Sequence, residues 1–226
     1  MLHFSQQVSY VNVDTSTHQG VARAKRLDLV PSGLADVVIS PLLHEALPLF
    51  SPSQKGRMFA IFRHPVERAA SLFYFIQDTQ WKQPDTRNEQ FADISIEEFY
   101  KTGYAENNWM TRFLTNELTK KVLTEDDLEV AKEVLRQKCL VGLMEEKRET
   151  FERIQKYFGW SPKNEKDQSC LERKTEVAWS MMHDHPRVEK NSQAWLLIVN
   201  ANKFDMRLYA YAKELFSQQG IQLFPH

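Results

Sequence analysis

Cysteine and long apolar runs are both scarce in this sequence. Only two of its 226 residues are cysteines, Cys139 and Cys170, which are too few for a disulfide scaffold and lack the spacing of a metal site. We expect two buried thiols, and a single Cys139–Cys170 disulfide bond stays open as the alternative in an oxidising compartment. No apolar run reaches the roughly 18 residues of a transmembrane helix, so we expect neither a membrane span nor a signal peptide.

An excess of charge of either sign is also missing. The chain has 29 lysines and arginines against 30 aspartates and glutamates, a formal net charge of −1 at pH 7. This balance provides no global field for nucleic acid or an anionic membrane, so a polyanionic ligand must be bound by a local basic site. The 42% of hydrophobic residues instead predict a globular chain with a substantial core.

The sequence does contain short β-branched and aromatic segments that alternate with helical patterns. Strands are predicted over residues 8–13, 36–40, 57–62 and 139–143. Such an alternation is typical of a parallel sheet covered by helices on both faces. We therefore predict an α/β fold, a three-layer α/β/α arrangement in a single domain over residues 1–226. Residues 161–193 are polar and predicted to be irregular, and a long helix is predicted over 195–218 with Gly220 as its stop.

The most informative stretch is Phe-Ala-Ile-Phe-Arg-His-Pro-Val-Glu-Arg-Ala-Ala-Ser, residues 59–71. It predicts a buried strand that ends at Arg63 and a helix that begins near Pro65. Ser71 then lies about two turns into the helix, so an arginine fork and a hydroxyl could bind one anionic group. Two alternatives stay open: an ion pair of Arg63 with Glu67, and a Ser71 hydroxyl bonded to a carbonyl of its own helix.

These residues also match a known pattern. Arg63, Pro65, Arg68 and Ser71 occupy the fixed positions of R-x-P-x-x-R-x-x-S, which resembles the 3′-phosphate-binding motif of sulfotransferases that use 3′-phosphoadenosine 5′-phosphosulfate (PAPS). Three later segments resemble carbohydrate sulfotransferases in the same order. They are residues 108–115, the Leu-Val-Gly-Leu-Met-Glu run at 140–145 with the Tyr-Phe-Gly-Trp at 157–160, and the closing helix over 205–216.

The resemblance implies a P-loop-like fold that transfers a sulfuryl group from PAPS to a hydroxyl of a carbohydrate. It implies that Arg63 and Ser71 bind the 3′-phosphate, that no metal is needed, and that the enzyme acts in the Golgi lumen on a membrane anchor. The acceptor would be a glycan.

The chain departs from this family at its beginning. The family starts with a strand and a loop resembling K-T-G-[ST]-[ST], which binds the 5′-phosphosulfate, and the printed sequence contains no such loop. The strand predicted over 8–13 corresponds to the family's second strand. We therefore expect an incomplete fold with an exposed sheet edge. Two hypotheses follow: a PAPS-dependent carbohydrate sulfotransferase or its fragment, and a non-catalytic module that binds a nucleotide, a glycan or a protein. A P-loop phosphotransferase is less favoured because no Walker lysine loop is present.

The acceptor hydroxyl needs a base. His44 follows the strand predicted over 36–40 and is expected at the same sheet end as Arg63, and Glu45 is its rival. The alternative is that His44 caps or packs on a short helix.

Other candidates would bind ligand. Arg173 and Lys174 are predicted to form a basic loop over the nucleotide, as are residues 187–190, and Arg112 is predicted to contact an anionic sugar. The histidines at 183 and 185 do not have zinc spacing, so no metal is expected.

Overall fold

The structure, a computed structural model, describes residues 11–35, 37–77, 91, 93–120, 122–181 and 185–224, with the backbone alone for 174–181. The chain divides into two compact units, Met1–Arg57 and Met58–His226. The single domain over 1–226 stays a prediction.

The described elements of the first unit are α1 (His18–Arg26), α2 (Leu43–Ala46) and a 3-10 turn (Leu47–Leu49). Those of the second are β1 (Met58–Phe62), α3 (Pro65–Gln77), α4 (Ile96–Lys101), α5 (Trp109–Thr115), α6 (Glu125–Lys138), β2 (Cys139–Leu143), α7 (Lys147–Phe158), α8 (Glu165–Met181), α9 (Gln193–Ala201) and α10 (Lys203–Leu223).

The first unit contains two short α-helices and a 3-10 turn, joined by turns and irregular segments. Its small core contains Ala24, Leu29, Ala46 and Leu49. The strands predicted over 8–13 and 36–40 are not formed at residues 11–13 and 37–40, while residues 8–10 and 36 lie outside the described residues. Side chains take the place of ladder bonds here. The Thr15 hydroxyl donates to the Ile39 carbonyl at 2.6 Å, and the Ile39 side chain is 80% exposed. An isolated extended segment with an exposed face has no cross-strand pairs to stabilise it.

The second unit contains a parallel pair of strands, as predicted. β1 and β2 align from Met58 opposite Cys139 to Phe62 opposite Leu143. Every residue of β2 is buried, whereas β1 alternates and exposes Phe59 and Ile61. Among the described residues this is a two-stranded sheet, so the chain is a mixed α/β protein.

The second edge of β2 is covered by a side chain instead of a strand. The Gln219 amide on α10 accepts from the Val141 backbone N–H at 2.9 Å and donates to the Cys139 carbonyl at 2.8 Å. It therefore satisfies two ladder groups that would otherwise be buried without partners. The adjoining core contains Leu128 and Leu135 of α6, both with no exposed surface.

Two helix predictions were wrong. Residues 165–181, predicted to be irregular, form α8, which begins where the Asn164 side chain accepts from the Asp167 N–H at 2.9 Å. The long helix predicted over 195–218 is two helices, because the backbone leaves the helical conformation at Asn202 (φ −118°, ψ 36°), whose side chain donates to the Ile198 carbonyl at 2.8 Å. Gly220 does not stop α10, which continues to Leu223. The absence of a side chain at Gly220 instead leaves room for the Arg153 guanidinium.

Both cysteines are free thiols. Cys139 is buried, and burial raises the pKa of its thiol to about 11, while Cys170 on α8 is half-buried. Of the helices that the structure describes, none combines the length and the apolar character needed to cross a bilayer.

Candidate functional site

The carboxyl ends of β1 and β2 lie side by side, and we call this end of the sheet its carboxyl edge. The register places Phe62 opposite Leu143, and the Met144 N–H donates to the Phe62 carbonyl at 2.8 Å, which extends the pairing one step further. Each strand is followed by a short link and then by a long helix, α3 after β1 and α7 after β2. This edge is where open α/β sheets bind their ligands, because the links and the helix amino termini converge there.

Arg63 is the first residue after β1 and lies at this edge. Its side chain is 18% exposed, with Nη2 3.8 Å from the Glu67 carboxylate and 3.1 Å from Nε2 of His185. Burial lowers the pKa of the Arg63 guanidinium, while Glu67 and Glu145 favour its charged form. The ion pair with Glu67, the alternative raised from the sequence, is thus present. At 3.8 Å it is loose, and it leaves other donors of the fork to other partners.

Ser71 lies on the face of α3 that contains Arg63's partners. Glu67, Ser71 and Tyr74 follow the i, i+4, i+7 spacing of one helix face. The imidazole of His185 stacks on the Tyr74 ring at 5.5 Å between centroids, and its Nε2 reaches Arg63. His185 thus contacts Tyr74 on this face and Arg63, which lies two residues before α3, while the helical spacing places Ser71 between Glu67 and Tyr74. Within the described part of the chain, its hydroxyl makes no bond back to the helix such as Ser217 makes to the Lys213 carbonyl.

A second set of contacts fixes the turn between β1 and α3. The Glu145 carboxylate accepts from the His64 backbone N–H at 3.1 Å and from the Tyr209 hydroxyl. The His64 ring stacks on Trp195 at 5.4 Å and meets the edge of Tyr209 at 5.3 Å. Glu145 therefore ties the link after β2, the link after β1 and α10 together at one point.

The electrostatics of this edge are mixed. Burial, and secondarily its bond to the Glu145 carboxylate, raises the pKa of Tyr209, so its hydroxyl stays protonated. Burial lowers the pKa of Lys147 at the start of α7, and the nearby Arg63 charge lowers it further. An anion bound beside Arg63 and Lys147 would relieve the repulsion that Lys147 experiences from Arg63.

His44 and Glu45, the predicted bases, both lie in α2 of the first unit. The Glu45 carboxylate pairs with Nδ1 of His18 at 2.8 Å. His44 lies on a short helix, as in the alternative raised from the sequence, and it also has interactions of its own. The strand that was expected to precede them is not formed at residues 37–40. Their place beside Arg63 stays a prediction.

Arg112, the predicted sugar contact, is buried on α5. Its guanidinium donates to the Glu117 carbonyl at 3.1 Å, to the Asn107 side chain at 2.8 Å and, by a short bond, to the Lys120 carbonyl. It therefore joins the two ends of α5 to the neighbouring loops, which is a structural role. Its contact with an acceptor stays a prediction.

Arg173 and Lys174 lie within helix α8 and not in the loop that was predicted for them. Arg173 is exposed, and the side chain of Lys174 lies outside the described residues. Arg187 and Lys190, also exposed, lie in the segment that follows His185. Among the described residues no cluster of His, Cys, Asp or Glu could hold a metal ion, and His183 and Asp184 are not among them.

The site contains residues that sequence reasoning did not select. In the sequence, Glu145 belongs to a segment that resembles carbohydrate sulfotransferases, and His185 is one of two histidines that lack zinc spacing. Neither has a periodic or local signal that places it against Arg63. His185 is 122 positions away, and only its place in the folded chain brings it there.

Comparisons of the chain with protein-family models, with curated proteins and with solved structures found no match.

Proposed function

We propose that this chain binds the 3′-phosphate of PAPS, or of its product adenosine 3′,5′-bisphosphate, with Arg63 and Ser71. The chemistry proposed is transfer of the sulfuryl group to a carbohydrate hydroxyl, on a P-loop-like three-layer fold. The observation that supports it most directly is the partly desolvated Arg63 guanidinium at the carboxyl edge of a parallel strand pair, in line with Ser71 on α3.

The chemistry of the ligand matches this arrangement. A phosphate monoester presents several acceptor oxygens and up to two negative charges, and a guanidinium fork binds such a group through two parallel bonds. A neighbouring hydroxyl adds a neutral donor to a third oxygen. Lys147 and the amino terminus of α3 add positive potential on the same edge.

The acceptor step would need a base and in-line geometry. In this proposal His44 or Glu45 takes the proton of the acceptor hydroxyl as the oxygen attacks sulfur, and adenosine 3′,5′-bisphosphate leaves. A His44→Ala or Glu45→Ala variant that lowers turnover while leaving nucleotide affinity unchanged would identify the base.

The binding proposal is tested by calorimetric titration with two nucleotides. Adenosine 3′,5′-bisphosphate has the 3′-phosphate, and adenosine 5′-monophosphate lacks it. We expect Arg63→Ala to weaken binding of the bisphosphate by about 30- to 100-fold and Ser71→Ala by about 3- to 10-fold. Arg63→Lys keeps the charge without the fork, so its loss should be intermediate. None of the three variants should alter binding of the monophosphate.

Arg148→Ala is the matched control, because this arginine is 90% exposed on α7 and its side chain pairs with Glu152 on its own helix. Its affinity for the bisphosphate should equal that of the wild type. The proposal is wrong if the folded chain binds both nucleotides equally, or if Arg63→Ala leaves the preference for the bisphosphate intact. Incubation with labelled PAPS and glycan acceptors then tests transfer; binding without transfer indicates the non-catalytic module.

A further inference from the structure

The imidazole of His185 has partners that define its protonation state. Its Nδ1 lies 3.1 Å from the Pro186 carbonyl, and its Nε2 lies 3.1 Å from Nη2 of Arg63. A carbonyl can only accept and a guanidinium can only donate, so Nδ1 bears the proton and Nε2 is a bare lone pair. The neutral Nδ1–H tautomer is the one form of the ring that satisfies both contacts.

The bond to His185 occupies the Nη2 donor of Arg63, the residue that the proposed function assigns to the 3′-phosphate. An anion that takes the Nη2 donor of Arg63 leaves the Nε2 lone pair of His185 without a partner and facing negative charge. Two acceptors that face each other repel, whereas an Nε2–H donor to the same anion forms a charge-assisted bond. The ring can remain in place, since the Tyr74 stack and the Pro186 contact do not involve Nε2.

We infer that His185 is a further ligand-binding residue of this site, one that takes up a proton at Nε2 as it exchanges Arg63 for a bound phosphate monoester. The inference rests on the proposed function. The proton comes from the solvent, and no other bond changes. Phosphate affinity should therefore be coupled to pH through this residue, because a proton that is taken up on binding makes the affinity depend on proton concentration.

The groups around His185 bear on that coupling. Tyr74 of α3 faces the ring, and Arg63 faces Nε2. Around Arg63 lie the carboxylates of Glu67 and Glu145 and the ammonium of Lys147. An anion bound beside Nε2 favours the protonated ring over the neutral one, because a nearby opposite charge stabilises the charged form of a titratable group.

The test compares the dissociation constant of adenosine 3′,5′-bisphosphate between wild type and His185→Gln at pH 5.5, 6.5, 7.5 and 8.5. Glutamine can accept from Arg63 through its carbonyl but does not titrate. Because the ligand's own phosphate titrates identically in both experiments, the ratio of the two constants isolates the histidine. We expect this ratio to be near one at pH 8.5 and to rise to about tenfold at pH 5.5, the weaker binder being the variant.

Two further variants sharpen the result. His185→Phe keeps a ring against Tyr74 and should show the same rise of the ratio toward low pH, whatever its value at pH 8.5. His18→Gln removes a histidine of the first unit that pairs with Glu45, and its ratio should stay near one throughout. Circular dichroism spectra recorded at each pH are the control for folding, and only variants with the wild-type spectrum are compared.

The outcomes separate this inference from the proposed function. If the wild type shows no binding that depends on Arg63 and the 3′-phosphate, the proposed function fails and this inference with it. If that binding is present but the His185 ratio is the same at every pH, His185 only positions Arg63 and the inference alone is overturned. The inference is also overturned if the ratio of dissociation constants rises toward low pH for His64→Asn and not for His185→Gln, because His64 would then be the residue that takes up the proton.

Discussion

His64 combines a capping contact with burial at the start of α3. Its Nδ1 accepts from the Val66 N–H at 3.3 Å, and its ring lies between Trp195 and Tyr209. Burial lowers the pKa of His64; the carboxylates of Glu145 and Glu67 oppose this in part, and the Lys213 charge adds to it. The neutral ring is therefore the form that the folded chain favours.

This shift predicts a dependence of stability on pH. The unfolded chain binds a proton at this residue near pH 6.5, above the pKa of the folded form, so the free energy of unfolding rises with pH in that window. The stabilisation is full above about pH 6.5 and is lost as the pH falls through the folded pKa. Between pH 7.5 and pH 5.5, the free energy of unfolding measured in urea should decrease less for His64→Asn than for wild type. Asparagine keeps the cap but does not titrate. An equal decrease of the free energy of unfolding in both proteins contradicts this assignment.

Single residues differ in how much of their role the sequence could reveal. Arg63 and Ser71 belong to one short segment whose strand and helix both formed, and their sharing of one anion stays a prediction from their spacing. His185 reaches Arg63 from a distant segment, and only a folded arrangement could show that contact. Arg112 looked like a free cation in the sequence, but nearby backbone carbonyls occupy its donors. Local patterns do not indicate such tertiary partners.

At the scale of elements, α7 packs on β2 at a glycine. A methyl group on Gly142 would lie 2.4 Å from Cγ2 of Thr150, while the Thr150 hydroxyl accepts from the Leu143 N–H at 2.8 Å and donates to its carbonyl at 3.0 Å. Because the hydroxyl holds the threonine in place, the helix cannot retreat without losing both bonds. We expect Gly142→Ala to lower the free energy of unfolding by about 1–3 kcal/mol in urea titrations.

A double-mutant cycle makes this prediction specific to the contact. Thr150→Ser removes Cγ2 and keeps the hydroxyl, whose distance to the added methyl group would be 3.3 Å. Gly142→Ala should therefore cost much less in the Thr150→Ser background than alone. The same cost in both backgrounds would mean that the close packing of α7 on β2 is not present.

Elements with a periodic or capped signal were predictable. The runs Ser-Ile-Glu-Glu at 95–98 and Thr-Glu-Asp-Asp at 124–127 are capping-box patterns that can be read from the sequence, and they open α4 and α6. The β2 strand has the predicted bounds. α8 was missed because its described side chains are polar and largely exposed, which gives no apolar period. The strand predicted over 36–40 is the opposite case, a predicted element that is not formed at residues 37–40. Its β-branched composition suits a strand, but composition does not supply a partner strand.

At the scale of the whole molecule, burial is unevenly distributed between the two units. The first unit has a core cluster of four buried residues, two of them alanines. In the second unit, the buried β2 strand packs with α6, α7 and α10, and α3, α4 and α9 form a further cluster around Phe73 and Ile198. The stability of a unit increases with the apolar surface that it buries, and short units bury proportionally less. The division follows residues 51–57, Ser-Pro-Ser-Gln-Lys-Gly-Arg, whose polar, Pro- and Gly-containing composition is typical of a linker, although the single-domain prediction did not use this signal.

Hydrogen exchange of the full chain should therefore resolve two levels of stability. Amides of α1 should open with a free energy at least about 2 kcal/mol below that of β2 and α10, and so exchange about thirtyfold faster or more after correction for intrinsic rates. Low concentrations of urea should accelerate exchange in the second unit only as global unfolding is approached, while α1 exchanges early. Measurement at two pH values establishes that opening is in rapid equilibrium. If α1 and β2 instead show the same opening free energy and the same urea dependence, the two units unfold as one cooperative body, and the uneven burial has no energetic consequence.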